Sequence, residues 1–359
     1  MKQVTRFSIS LLLTVVCLAL FWFVLDFDVG EVGRSLRAAS PALIGLGIAL
    51  NLLGIIIRAW RWRFLLAPIR PGLGMYGLTS ATFIGYMVSF LIPFRVGEIV
   101  RPVLLARREG INAGSAIATI AVERILDVLT ISGLFLVFLL TPRGPTFLEG
   151  FGGDAGGAVD YIRNAIIAVA GLVIVVFPVL GLLVFAPHRV ISRLRRLSER
   201  FGSGFIGRTA VLLEGFVGGL TVFRRARELL RACLLSLLMW LVIDLGILAG
   251  VRAVGIDLAF TDILLLMVPL AIGIAIPTPA GVGAYESLVS ISLRDFWGVA
   301  ASAAAATAVL LHAMTVVPII LLGMLFMWRD GLGWSEVRGL GHAGGTTPRA
   351  AREGEGKAG

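Results

Sequence analysis

Apolar positions in this chain fall in long unbroken blocks separated by short polar joints, not at a period of two. The blocks lie at Phe7–Leu25, Pro41–Ile57, Met75–Ile92, Ala113–Leu140, Asn164–Ala186, Cys233–Gly250, Ile263–Ile291 and Val299–Trp328. A helix needs about 20 apolar residues to cross the hydrocarbon core. The pattern therefore predicts an all-α polytopic membrane protein built from these eight hydrophobic segments.

Two blocks are broken. The first runs into SFLIPFRVGEIVRP at 89–102, and the second contains GIAIPTPAGVGAYESL at 273–288. Each reads apolar helix, proline, glycine, acid, helix. A break exposes backbone polar groups, so at membrane depth it must be covered by protein or water. Two breaks in corresponding halves point to a transport site at a repeat interface. The predicted tips are Pro93 and Gly97 in the first, and Pro277, Pro279, Gly281 and Gly283 in the second. Glycine suits such turns because it reaches positive φ and allows backbones to approach closely.

Loop charge sets the expected topology. Residues 187–232 hold ten Arg and three Glu, a balance of +7, and 58–74 hold four Arg and no acid. Residues 141–163 hold two Arg against Glu149, Asp154 and Asp160. Basic loops stay in the cytoplasm. A full crossing by Met75–Ile92 would carry the +7 loop outside, so the first broken segment is expected to enter from the cytoplasm and return. The same treatment of the second gives six crossings plus two re-entrant helical hairpins of opposite orientation, an inverted pseudo-repeat with both termini inside. Lys2 and Arg6 precede a first block without a small-residue cleavage site, so an uncleaved span is expected. Residues 26–40 fit an amphipathic surface helix. Basic loop 187–232 is expected to lie against anionic lipid headgroups. The membrane-embedded domain covers 1–330, and 331–359 read as a disordered, polar tail.

Composition removes the soluble alternatives. Of 359 residues, 58% are hydrophobic and 15% charged. No soluble domain of this size hides that much apolar surface. The net charge of +10 sits in loops flanking the spans, which argues against nucleic acid as a partner. Cys17 and Cys233 lie in apolar blocks, and His188, His312 and His342 have no ligand spacing. No metal or cofactor is expected from them.

The candidate chemistry lies in the charges at membrane depth. Each costs about 2.5–3.5 kcal/mol on insertion scales, so Glu98, Glu123, Arg124, Asp127 and Glu286 call for partners or water. Arg95, Glu98 and Arg101 stand at i, i+3 and i+6 and share a face if the chain is helical beyond Pro93. Glu123 and Asp127 are i, i+4 neighbours, and Arg124 reaches Asp127 at i+3. These residues form either an internal ion-pair scaffold or a polar path for a charged headgroup, with arginines facing phosphate oxygens. The two readings are compatible, since a closed gate is itself an ion pair. Arg58, Arg61 and Arg63 interleave with Trp60 and Trp62 and read as an interfacial belt, with a substrate role as the alternative. Asp244 is a lone acid whose partner the sequence does not name, and His312 reads as a hydrogen-bonded packing residue. No phosphate-binding loop or nucleophile–base constellation stands out, so catalysis is not expected. The alternative is a membrane-embedded transferase acting on a lipid-linked phosphate, with Glu123 and Asp127 as metal ligands.

The motifs RAWRWRFLL, LIPFRVGEIVRPVLL, AVERILDVL and PTPAGVGAYESL, in this order, resemble the flippase-like family of the lysylphosphatidylglycerol synthase transmembrane region. The resemblance covers roughly 5–328. By that resemblance Arg95, Gly97, Glu98 and Arg101 match the motif LIPFRVGEIVRPVLL, Glu123, Arg124 and Asp127 the motif AVERILDVL, and Pro279, Gly281, Gly283 and Glu286 the motif PTPAGVGAYESL. It implies an inner-membrane protein of bacterial type that moves a membrane lipid between leaflets, with a partner in envelope-lipid biosynthesis. Two-domain members carry a soluble aminoacyl-transferase domain after the membrane part. Only a short tail follows Trp328 here, so that activity is expected to be absent.

Overall fold

A computed structural model of the chain describes residues 28–144, 147, 225–276 and 278–340. The predicted spans at 7–25 and 164–186, most of the basic loop 187–232, Pro277 and the tail beyond 340 lie outside the described residues. Among the described residues the fold is helical throughout, as the apolar blocks require.

A short helix α1 (Val29–Ala38) opens the described part, with Asp28 accepting a hydrogen bond from the Glu31 amide at 3.0 Å. It is amphipathic and buries no residue, in keeping with the predicted surface helix. The frame is then α2 (Pro41–Leu66), α5 (Ala113–Leu139), α6 (Ala226–Ala253) and α9 (Ala301–Arg329). Three of these, α2, α6 and α9, are long and apolar enough to cross a membrane. Helix α5 has 27 residues but carries Glu123, Arg124 and Asp127 at its middle.

Helices α2 and α6 run antiparallel. The Ser40 amide donates to the Ala253 carbonyl at one end (2.9 Å), and Arg61 reaches Ser236 toward the other (2.8 Å). Between these points small residues bring the backbones together: a Cβ on Gly47 would stand 3.0 Å from the Gly246 carbonyl oxygen. This is the small-residue packing that helices use where burial of apolar surface gives no drive to associate.

The two broken blocks form two helical hairpins. The first is α3 (Met75–Leu91) and α4 (Gly97–Glu109); the second is α7 (Phe260–Ala275), a 3₁₀ turn at Pro279–Gly281, and α8 (Ala284–Trp297). With 17 and 16 residues, α3 and α7 reach about 25 Å, short of the roughly 30 Å hydrocarbon core. Their bases are tied to opposite ends of the frame. Ser80 and Arg108 of the first hairpin bind Asp330 at the end of α9, whereas Asp262 of the second binds Arg143 beyond the end of α5. The tips converge, and Ala280 of the second packs with Tyr86 and Phe90 of α3.

The tips are built differently. At the first, the positive φ values belong to Phe94 (65°) and Arg95 (53°), not to Gly97. Gly97 instead begins α4 in close contact with α3, where a Cβ would overlap the Gly85 carbonyl and lie 2.7 Å from the Ser89 amide. At the second, Ala280, Gly281 and Gly283 take φ of 55°, 82° and 83°. Here the glycines supply the turn as predicted.

The expected disorder from 331 onward does not hold at its start. Trp334–Leu340 forms a helix, α10, which buries Val337 and Leu340 in the same apolar core as Val103 and Leu104 of α4. Two apolar side chains at i and i+3 share a helix face, so this short segment docks despite its glycine-rich flanks.

Candidate functional site

Where α2, α4, α5 and α6 meet, the charges form one network. Asp127 accepts from Arg61 Nη1 at 2.7 Å and from Arg58 Nη1 at 3.0 Å, lies 3.1 Å from Arg124 Nη2, and takes the Trp240 indole N–H at 3.3 Å. Glu123 accepts from Arg101 at 2.6 Å and Arg61 at 3.2 Å. Glu98 lies 3.0 Å from Arg95 and 3.7 Å from Arg124. The network thus joins five arginines to three carboxylates, leaving positive charge in excess.

Burial divides the network into two tiers. Arg58, Arg61, Arg101, Glu123 and Asp127 are buried, while Arg95, Glu98 and Arg124 keep about a third of their side chains exposed (34%, 32% and 32%). The buried tier is braced by aromatic rings. The Arg101 guanidinium stands 4.0 Å above Trp62, whose indole N–H donates to Thr119 at 2.8 Å. Arg58 lies over Tyr86 and Trp240 at 5.5 and 5.7 Å, distances at which a cation is still attracted to the ring face.

The predicted interfacial belt is therefore corrected. Arg58 and Arg61 are core residues paired with acids of α5, and Trp62 is fully buried; Trp60 is exposed and Arg63 half-buried on the other side of α2. The i, i+3 spacing of Arg58 and Arg61 puts both on the face that meets α5, whereas Arg63 points elsewhere. That spacing was the available signal. The condition for one shared face of Arg95, Glu98 and Arg101, a helix directly beyond Pro93, is not met, because the helix starts at Gly97. Arg95 belongs to the turn before α4, and Arg101 turns inward to Glu123.

Beside the exposed tier lies a cavity of about 330 Å³. Arg58, Arg95, Glu98, Arg124 and Asp127 form its polar side, and Ile243, Met267, Leu270 and Ile274 belong to its apolar walls. Both tips reach it, the first through Arg95 and the second through Ala280 and Gly281. Arg58 Nε and Arg124 Nε are buried without a hydrogen-bond partner among the described residues. Such donors cost free energy unless something accepts from them. Asn51, Tyr86 and Trp240 also line the cavity, and the sequence patterns did not single them out.

Glu286 stands apart from the arginines. Its Oε2 accepts from the Gly283 amide at 2.7 Å, and its Oε1 meets His312 Nδ1. His312 is hydrogen-bonded as expected. Asp244 is fully buried, and neither carboxylate oxygen has a partner among the described residues. No group of three or more His, Cys, Asp and Glu among the described residues is placed to hold a metal ion.

Apolar helices of spanning length, an ion-pair network buried between them and two opposed hairpins define an all-helical, multi-pass membrane protein. It belongs to the lysylphosphatidylglycerol synthase TM region family, which matches residues 7–323. The chain is similar to the glycosyltransferase AglD of Haloferax volcanii, 31% identical over 327 residues, which is 85% of this chain and 51% of AglD. It is also similar to a UPF0104 membrane protein of Methanocaldococcus jannaschii, 21% identical over 90% of this chain and 95% of that protein. A UPF0104 membrane protein of Methanothermobacter thermautotrophicus is 27% identical over 37% of this chain and 42% of its own. The chain thus spans about half the length of AglD and nearly all of the Methanocaldococcus protein.

Proposed function

We propose that this protein is a lipid flippase or transporter that holds a phosphate-bearing headgroup in the cavity between the hairpin tips while the acyl tails stay in the bilayer. The observation that carries this is the pairing of apolar walls with Arg58, Arg95 and Arg124 around one 330 Å³ space. Guanidinium groups match phosphate oxygens in charge and fork geometry. Glu98 and Asp127 engage the arginines as internal counter-ions. A phosphate displaces Glu98 first, because it is the more exposed and the more weakly held. Arg101 and Glu123 brace the site from behind, and Glu286 acts through the second tip. In this reading the hairpins are re-entrant, the chain makes six crossings, and both termini lie on the cytoplasmic side of the inner membrane. The basic loop 187–232 then rests on anionic headgroups, and the neighbouring partner is an enzyme of envelope-lipid synthesis.

A second reading follows from the similarity to a protein named a glycosyltransferase. In that case the membrane part serves a transferase acting on a lipid-linked phosphate, either as its catalytic body or as a non-transporting partner. Mass spectrometry of lipids co-purified with the protein tests the shared premise. Enrichment of a phosphate-bearing lipid over the bulk extract supports it, and a bulk-like profile overturns it. Product formed from that lipid in the presence of Mg²⁺ selects the transferase.

A further inference from the structure

The second hairpin tip is tethered by a hydrogen-bond arrangement whose proton count is fixed by its geometry. His312, in the middle of α9, sends Nε2 to the Ala280 carbonyl oxygen at 3.0 Å and Nδ1 to Glu286 Oε1. Glu286 Oε2 in turn accepts from the Gly283 amide at 2.7 Å. A backbone carbonyl only accepts, so Nε2 carries a hydrogen. The contact at Nδ1 then needs a second proton, either on the imidazole or on the carboxyl group. A neutral imidazole beside an ionised carboxylate holds one proton too few. It must give up one of its two contacts, because two lone pairs would face each other at Nδ1 or at Nε2.

We propose that Glu286 and His312 form a proton-binding site, and that one proton taken up there closes the second hairpin tip against α9. The closed state is neutral imidazole plus carboxylate plus one proton; the open state releases that proton to water. Ala280 sits at φ 55°, a conformation non-glycine residues rarely adopt, so it depends on such a tether to stay there. Ala280, Gly281 and Tyr285 line the cavity, so release of the tip moves a cavity wall. The proton is then the coupling ion for whatever the cavity holds, and the inference stands whichever lipid that is.

Among the described residues, Tyr285 of α8 is the titratable neighbour in contact with the pair, its ring centroid 4.8 Å from that of the imidazole. Among the elements packed on α8 and α9, α2 carries Arg58, α3 carries Tyr86, α6 carries Asp244 and α7 carries Asp262. None of these hydrogen-bonds or ion-pairs with Glu286 or His312. The charges of α1 lie at the Ser302 end of α9, ten residues or about 15 Å from His312.

A nitroxide on Val282→Cys, with Cys17 and Cys233 replaced by serine, reports tip mobility without itself titrating. In lipid vesicles the mobile fraction of the otherwise wild-type protein should rise with pH over about two units, as release of one proton requires. Glu286→Gln supplies the missing hydrogen as an amide: its NH₂ donates to Nδ1 while its oxygen accepts from Gly283. The tip should then stay immobile at every pH. His312→Phe keeps the ring and removes both contacts, so the tip should be mobile at every pH. A flat wild-type profile overturns the proposal even if neither variant folds, and so does a Glu286→Gln profile that still follows pH. Empty vesicles suffice, so the outcome is independent of lipid transport.

Discussion

Arg61 Nη1 lies 2.7 Å from Asp127 Oδ1, and the same Nη1 lies 2.8 Å from Ser236 Oγ, so one guanidinium nitrogen joins α2, α5 and α6. Asp127 also serves Arg58 and Arg124, which makes it the hub of the network. A buried pair adds little net stability, but removing one partner leaves a charge with no compensation.

Asp127→Asn should therefore destabilise the fold by about 3–5 kcal/mol. Glu123→Gln, which loosens both Arg61 and Arg101, should cost a similar amount. Detergent-solubilised thermal unfolding checks both. Wild-type melting of Glu123→Gln would contradict its bracing role.

Gly97→Ala should disrupt the first hairpin, because its Cβ has no room against the Gly85 carbonyl and the Ser89 amide. Gly133→Ala on α5 meets nothing within 4 Å among the described residues and should be neutral or stabilising by about 0.5–1 kcal/mol. Folded yield and melting temperature, measured side by side, separate a packing requirement from a general intolerance of substitution.

Asp330 ties the end of α9 to the first hairpin. Burial pushes its carboxyl up, but hydrogen bonds from Ser80, Arg108 and Tyr76 outweigh this and hold it below the ordinary carboxylate range. A depressed folded-state value means the stabilisation is present at neutral pH and is lost as pH falls through the folded value. The melting difference between wild type and Asp330→Asn should thus be widest near pH 7 and narrow below about pH 4. A gap independent of pH would remove Asp330 from the tether.

Several helix boundaries were legible because apolar blocks and breakers are local signals, whereas α2 runs on to Leu66 and α6 starts at Ala226, both through arginine-bearing turns outside the blocks. Met75–Leu91, Ala113–Leu139 and Ala301–Arg329 each fall within two residues of the apolar blocks. The burial of Arg58 and Arg61 was not, because the interface signature and a buried ion pair both place Arg beside Trp. Only the partner acids on α5 decide between them, and those are more than sixty positions away. At Gly97 the expected close approach of backbones holds, while the positive φ values lie elsewhere. Glycine serves both turns and close contacts, and the turn itself fell on Phe94 and Arg95.

Single cysteines in 187–232 should be labelled only from the cytoplasmic side, and those in 141–163 only from outside. The expectation rests on a loop charge of +7 against a slightly acidic loop. The burial of Arg58 and Arg61 removes two charges from the 58–74 loop, so 187–232 carries the greater weight. Labelling with the opposite sidedness would contradict the re-entrant arrangement.

The most direct test is leaflet-resolved exchange of a phosphate-bearing lipid in proteoliposomes, comparing wild type with Arg95→Gln/Arg124→Gln. Both arginines are partly exposed at the cavity, so their loss should destabilise the fold less than Asp127→Asn does, and exchange is compared in the folded protein. Each lost charged hydrogen bond weakens headgroup capture by about 1.5–3 kcal/mol, so exchange at low lipid should fall at least tenfold. Wild-type exchange in a folded double variant would contradict the cavity as the headgroup path.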